Sequence, residues 1–250
     1  MQRRLSSLDR LISTLDTAMR ELSHGTNAMA GERPSPAAEH TEAELTDAER
    51  KHAGGLMRIN HTGEVCAQAL YRGQALVAKT EETRTALLEA AQEEKDHLDW
   101  CEERIDELGT HTSRLNPLFF ASSYALGALT GAIGDRVSLG FVHATEEGVA
   151  MHLKEHLQKL PADDRKSQLV LQQMLAEEER HGAHALEQGG EEFSDSVKRM
   201  MRTASQVMTK TTYWLYQQHR WSRLSLAREA IPTGCVSRAS ALPRHHPSPT

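Results

Sequence analysis

The sequence predicts an all-α protein: a four-helix bundle built from two helical hairpins, with extra helices at its N-terminal and C-terminal ends. Three observations carry this expectation. Apolar residues recur at helical spacing over long segments, and no segment alternates with a convincing period of two. The breaks between segments carry helix caps and stops. The polar motifs of the second half repeat those of the first at an offset of 82 to 84 residues, as two similar hairpins would.

The elements follow in order. MQRRLSSLDRLISTLDTAMREL reads as a short amphipathic helix over about 5–23, and it lacks the long apolar run of a signal peptide, which predicts a protein in the cytoplasm. The Gly/Pro/Ser/Ala stretch from Gly25 to Ala38 reads as a linker. Thr46-Asp-Ala-Glu49 is a capping box that opens a long helix to about Lys79, because the threonine and glutamate side chains can each satisfy a backbone N–H of the first turn. The Ala-, Leu-, Glu- and Gln-rich segment from Glu81 to Leu108 returns antiparallel after a short turn. A third long helix runs from Gly134 to Leu160. Pro161-Ala-Asp-Asp then stops it and caps another, which Gly189-Gly190 ends at about Glu187. A last helix covers about 192–218. The composition beyond Trp221 turns to Pro, Ser, Arg and His, and the His245-His246 pair reads as part of a solvated tail. The expected organisation is an N-terminal helix at 1–24, a linker at 25–45, the bundle at 46–218 and a disordered tail at 219–250.

Residues 118–134 are uncharged, yet three glycines and two serines in seventeen positions make a poor and short membrane span. Two readings stay open for this segment. It is an interfacial helix entering one leaflet with Phe119, Phe120 and Tyr124 at its start, or a buried crossover packed on the bundle.

At 250 residues the chain can bury one substantial core. Its net charge of −6, with basic residues dispersed, gives no electrostatic case for nucleic acid. Cys66, Cys101 and Cys235 form no CxxC pair, which argues against a zinc or disulfide framework. Cys66 and Cys101 read as small core residues. The supply of 14 histidines and 35 acidic residues is more informative, since imidazole and carboxylate are what divalent metals require.

Glu-x-x-His places a carboxylate and an imidazole on one helix face, within reach of one metal ion. The motif alone proves little. With 25 glutamates and 14 histidines, random placement gives about 1.4 such pairs, and the chain has four. Glu21–His24 and Glu49–His52 fall at helix ends and read as accidental. Glu94–His97 and Glu178–His181 each lie mid-helix in a matching EExxH string, and each is preceded by a lone glutamate: Glu64 by 30 residues, Glu146 by 32. Those distances fit a helix, a turn and a return helix, which brings each lone glutamate level with its Glu-x-x-His partner. Four buried carboxylates are costly unless cations compensate them, and two divalent ions would cancel their charge. The pattern therefore predicts a di-iron carboxylate centre on Glu64, Glu94, His97, Glu146, Glu178 and His181. His61, His143, His152 and His184 are candidates to orient those carboxylates, and Gly63 to allow close helix approach beside Glu64.

The strings NHTGE ending at Glu64, EEKDH ending at His97, ATEE beginning at Ala144 and EEERH ending at His181 resemble the flavin-independent 3-demethoxyubiquinol 3-hydroxylases in their bacterial form. The resemblance covers roughly 3–214. It implies a ferritin-like fold, the six residues above as ligands of two iron ions, and Glu94 and Glu178 as the bridging carboxylates. It implies hydroxylation of a polyprenyl quinol ring with O₂ to give 3-demethylubiquinol, with electrons from NADH or a separate reductase. It also implies peripheral contact with lipid on the cytoplasmic face of the bacterial cell membrane, and other ubiquinone-biosynthesis proteins as partners. The alternative is a ferritin-like iron oxidase or storage protein, which uses similar ligands. A rubrerythrin-type peroxidase would need a Cys-rich module that the sequence does not contain.

Overall fold

The computed structural model describes residues 33–229, with backbone alone over 214–229, and the isolated helical positions Asp9 and Ile12. Nearly all of the helix expected at 5–23, the Glu21–His24 pair, Cys235 and His245-His246 lie outside the described residues. The elements over residues 33–229 are six helices, with no strand among the described residues: α1 Asp47–Val77, α2 Glu81–Glu107, α3 Asn116–Ile133, α4 Asp135–Lys159, α5 Arg165–Glu187 and α6 Asp195–Glu229. α1 with α2 and α4 with α5 form two antiparallel hairpins, which is the ferritin-like bundle.

Local chemistry sets the ends of these helices. The Thr46 hydroxyl accepts from the Glu49 N–H at 3.3 Å while the Glu49 carboxylate accepts from the Thr46 N–H at 2.9 Å, the reciprocal capping box. The Asp164 carboxylate caps α5 by accepting from the Ser167 N–H. Gly134 separates α3 from α4 with φ 153°, ψ 160°, a backbone conformation closed to residues that carry a Cβ.

Two polar pins fix the hairpins against each other at opposite ends of the bundle. At one end Asp135, the first residue of α4, accepts from the Lys79 and Thr80 N–H groups in the turn between α1 and α2. At the other end Arg104 of α2 donates to Asp164 between α4 and α5 at 2.8 Å, and to Ser167 at 2.9 Å.

Two apolar clusters fill the interior. One contains Met57, Trp100, Ile105, Leu153, Leu171 and Met174, the other Leu70, Tyr71, Leu87, Ala91, Val142 and Ala185. Every bundle helix contributes to both, and along every one the segment between its two contributions is the polar layer of the expected metal ligands. Water is thus excluded from that layer above and below.

Three expectations change. Residues 33–45 are not a free linker: they form a strap across the bundle, with Ala37 and Leu45 buried in the first apolar cluster and Glu42 bound to Arg104 at 2.5 and 3.0 Å. A chain rich in turn formers can still pack when a few apolar positions reach a core. The last helix continues to Glu229, past the expected start of the tail at 219. Gly63 has open space where a Cβ would stand. Close helix approach occurs instead between Gly73 of α1 and Gly127 and Gly131 of α3, where added Cβ atoms would meet backbone of the facing helix.

The apolar segment takes the crossover reading. α3 is a crossover helix packed along α1, and its outward face still exposes Leu118 at 63 %, Leu126 at 44 %, Leu129 at 68 % and Ile133 at 70 %. Among the described residues, no helix is long and apolar enough to cross a membrane.

Candidate metal centre

One helix of the bundle supplies each component of the polar layer: α1 gives Glu64, α2 gives Glu94 and His97, α4 gives Glu146, and α5 gives Glu178 and His181. The structure brings all six together. Glu64, Glu94, His97 and Glu178 offer one ligand-capable atom each within 4.8 Å of one another, and Glu94, Glu146, Glu178 and His181 do the same. Glu94 and Glu178 belong to both groups. Each turns one oxygen to each histidine. His97 Nδ1 lies 3.0 Å from Glu94 Oε2 and 2.9 Å from Glu178 Oε1, whereas His181 Nδ1 lies 3.4 Å from Glu94 Oε1 and 3.4 Å from Glu178 Oε2. The two rings are near parallel, their centroids 6.3 Å apart. Two carboxylates spanning two imidazoles, with Glu64 on one side and Glu146 on the other, make two adjacent sites that share a pair of ligands.

The donor set fits a pair of divalent cations, and the buried atoms with no partner test that fit. Glu64 Oε1, Glu94 Oε1, both oxygens of Glu146, both oxygens of Glu178 and His181 Nδ1 are buried without a hydrogen-bond partner among the described residues. Each such polar group costs roughly 1–3 kcal/mol when nothing satisfies it, so the seven in this one layer are placed where a pair of cations could satisfy them.

The titration behaviour reflects the same crowding. Burial drives the Glu146 carboxyl well above the ordinary range, and repulsion from Glu178 adds to it. Burial likewise raises Glu64 against the pull of His97. For His97 burial works toward the neutral ring, but its hydrogen bonds to Glu177 and Glu94 and the nearby carboxylates of Glu178 and Glu64 outweigh it and raise the imidazole well above its usual value. The same balance, through Glu178 and Glu94, carries His181 up to about 11. Cations bound in this layer would take over the charge compensation that the imidazoles otherwise give these carboxylates.

The four histidines expected to orient the carboxylates are engaged elsewhere. His61 Nδ1 accepts from the Asn116 amide at 3.2 Å, which ties α1 to the start of α3. His143 bonds the Gly182 carbonyl at 2.9 Å, His152 faces Ser205, and His184 is exposed beside Gln188. Two residues outside the expected set meet the imidazoles of the layer instead. His97 Nε2 meets Glu177 Oε2 at 2.8 Å, and His181 Nε2 meets Glu93 Oε2 at 2.5 Å. Their sequence signal was the doubled glutamate that opens both EExxH strings. Cys101 is fully buried against Met174, and burial raises the Cys66 thiol to about 11, so neither offers a thiolate.

The family model described as ubiquinone biosynthesis protein COQ7 matches residues 51–212, the span that holds all six metal-layer residues. The chain belongs to the COQ7 family. Curated relatives carry the same assignment across nearly their whole length. A 3-demethoxyubiquinol 3-hydroxylase of Pseudomonas syringae pv. syringae is 55% identical over 212 residues, 85% of this chain and 98% of the relative. The enzyme of the same name from Chromohalobacter salexigens is 54% identical over 215 residues, 86% of this chain and 100% of the relative. That of Stutzerimonas stutzeri is 53% identical over 212 residues, with 85% and 98% covered. COQ7 membership favours a hydroxylase of ubiquinone biosynthesis over the iron-storage alternative, and the polar layer lies wholly inside the matched region.

Proposed function

We propose that this chain is a 3-demethoxyubiquinol 3-hydroxylase that works with two iron ions and O₂ at the Glu/His layer. The observation that carries this reading is the double-facing arrangement of Glu94 and Glu178, each directed at both histidines within a buried cluster in which seven polar atoms have no hydrogen-bond partner among the described residues. Glu64 and His97 would hold one ion, Glu146 and His181 the other, and Glu94 and Glu178 would bridge them. Bound there, iron supplies activation of O₂ for insertion of one oxygen atom into the electron-rich quinol ring. The protein contributes what the described residues do. Four carboxylates balance the charge of two divalent ions. The apolar clusters above and below exclude bulk water, and Glu177 and Glu93 orient the imidazoles. The reducing equivalents come from NADH or a separate reductase.

The substrate carries a long polyprenyl tail, so the enzyme works at a lipid surface, on the cytoplasmic face of the cell membrane. The exposed Leu118, Leu126, Leu129 and Ile133 on α3 support such a peripheral contact. Quinone profiling of cells lacking the gene tests the whole reading. Demethoxyubiquinone should accumulate, wild-type protein should clear it, and Glu178→Ala, which removes one bridging carboxylate, should not. An unchanged quinone profile in the deletion strain would sink the assignment.

A further inference from the structure

The two EExxH strings are joined crosswise. The first glutamate of each string bonds the histidine of the other: Glu177 holds His97, and Glu93 holds His181. The two arms are chemically unequal. The Glu177 side chain is 3 % exposed and gripped by the Arg33 guanidinium fork, Nη1 to Oε1 at 2.7 Å and Nη2 to Oε2 at 2.8 Å, with the Gln173 amide donating at 2.5 Å. Arg33 is itself fixed on the strap. It pairs with Asp96, lies 4.8 Å over the Trp100 ring, and its carbonyl accepts from the Trp100 indole at 3.1 Å. The Glu93 side chain is 54 % exposed, and among the described residues His181 is its only partner.

We propose that Glu177 is the positioning residue for His97, that Arg33 of the N-terminal strap sets Glu177, and that the Glu64/His97 half of the centre therefore holds its metal ion more tightly than the Glu146/His181 half. The proposal rests on the two-metal reading above. A carboxylate that accepts from the second ring nitrogen of a ligating histidine fixes the ring's orientation and raises its basicity, and its loss costs about 10–100-fold in metal affinity. Glu177 arrives already ordered by a bidentate guanidinium. Glu93 must first lose side-chain freedom, and water and salt screen its charge. The first arm therefore gives its histidine the larger gain.

Anaerobic titration of the metal-free, full-length chain with Co²⁺, followed by visible absorption, tests this. The wild-type chain should bind two equivalents in two steps, one tight and one weaker. Glu177→Ala and Arg33→Ala should weaken the tight step by about 10–100-fold and bring the steps together. Glu177→Gln, which keeps an accepting oxygen, and Arg33→Lys, which keeps the charge, should each recover part of the loss. Glu93→Ala should move only the weaker step. Melting temperatures of the metal-free variants, read in parallel, separate positioning from folding. Two equal steps in the wild type, or a tight step unmoved in Glu177→Ala, would overturn the proposal. So would equal weakening of both steps together with a lowered metal-free melting temperature. A wild-type chain that binds fewer than two equivalents removes the two-metal reading itself, a different failure from two bound ions and unresponsive variants.

Discussion

Gly127 of α3 rests directly on the Leu70 carbonyl of α1, so near that a Cβ on Gly127 would overlap backbone, and Gly73 of α1 makes the reciprocal approach to Tyr124. The helix that follows the first hairpin is seated by these contacts, and α1, which carries Glu64, is buried almost all round as a result. Gly127→Ala sets two effects against each other. Helix propensity favours alanine by up to about 1 kcal/mol, while forcing a methyl into backbone costs roughly 1–3 kcal/mol. Neither backbone can turn aside as a side chain would, so the cost should win. Urea unfolding should show a net loss of about 1–2 kcal/mol, and a more stable Gly127→Ala protein would contradict the close packing.

Arg104 gives a second expectation. It is buried, and it holds Asp164, which is fully buried, together with the strap residue Glu42, whose side chain is 34 % exposed. Removing Arg104 strands the Asp164 carboxylate, a loss of about 3–5 kcal/mol for a broken buried pair. Glu42→Ala removes only a solvent-screened partner and should cost 1 kcal/mol or less, on the order of exposed ion pairs. Chemical denaturation of both variants reads the contrast, and equal losses would show that the strap, rather than Asp164, is what Arg104 supports.

His156 provides a pH dependence. The ring is buried and donates from Nδ1 to Asn60 Oδ1 at 2.6 Å, and burial, helped by the neighbouring His152 and Lys159, pushes its pKa down to about 4 from 6.5. Between those values the unfolded chain binds the proton and the folded one does not. The contribution to stability is therefore complete above about pH 6.5 and is lost as pH falls toward 4. At pH 5 the loss relative to pH 7 is about 2 kcal/mol for this group. His156→Gln keeps a donor for Asn60 without the titration, so its stability should fall less between pH 7 and pH 5 by about that amount. Parallel slopes for the two proteins would refute the assignment.

What could be read in the sequence was local or periodic. The Thr46–Glu49 capping box, the Pro161–Asp164 stop and the Gly189-Gly190 end are all decided within a few residues, and the structure places them as expected. The six-residue layer was legible for a different reason. Two helical hairpins turn a spacing of about 30 residues into spatial adjacency, so Glu64 and Glu146 could be paired with their Glu-x-x-His partners by counting. The strap was not legible. Arg33 and Glu177 are 144 residues apart, and no helical period relates them. A Pro/Ser/Ala composition reads as linker whether or not Ala37 and Leu45 find a core. The histidines at His61 and His143 misled because motif proximity along the chain is not proximity in space: each lies one turn before its glutamate, where its ring meets a neighbouring helix rather than the layer.

The outward face of α3 yields the last expectation. Leu126, Leu129 and Ile133 are spaced by three and four residues, so they form one stripe on the helix, and the face toward α1 is occupied by Gly127 and Gly131. Charges placed on the stripe should not disturb the bundle, because those positions already meet solvent. A leucine or isoleucine moved from water into an apolar phase contributes about 1.5–3 kcal/mol. Replacing two of them with glutamate on an anionic surface forfeits that gain and adds repulsion. Leu129→Glu with Ile133→Glu should therefore reduce co-flotation with anionic phospholipid vesicles by at least about 10-fold, while the metal-free melting temperature and Co²⁺ uptake stay near wild type. Turnover of a short-chain, water-soluble quinol should be preserved and turnover of a long-chain quinol in vesicles lost. Undiminished flotation would place the lipid contact elsewhere, and loss of both activities together would mean that the stripe serves the bundle rather than the membrane.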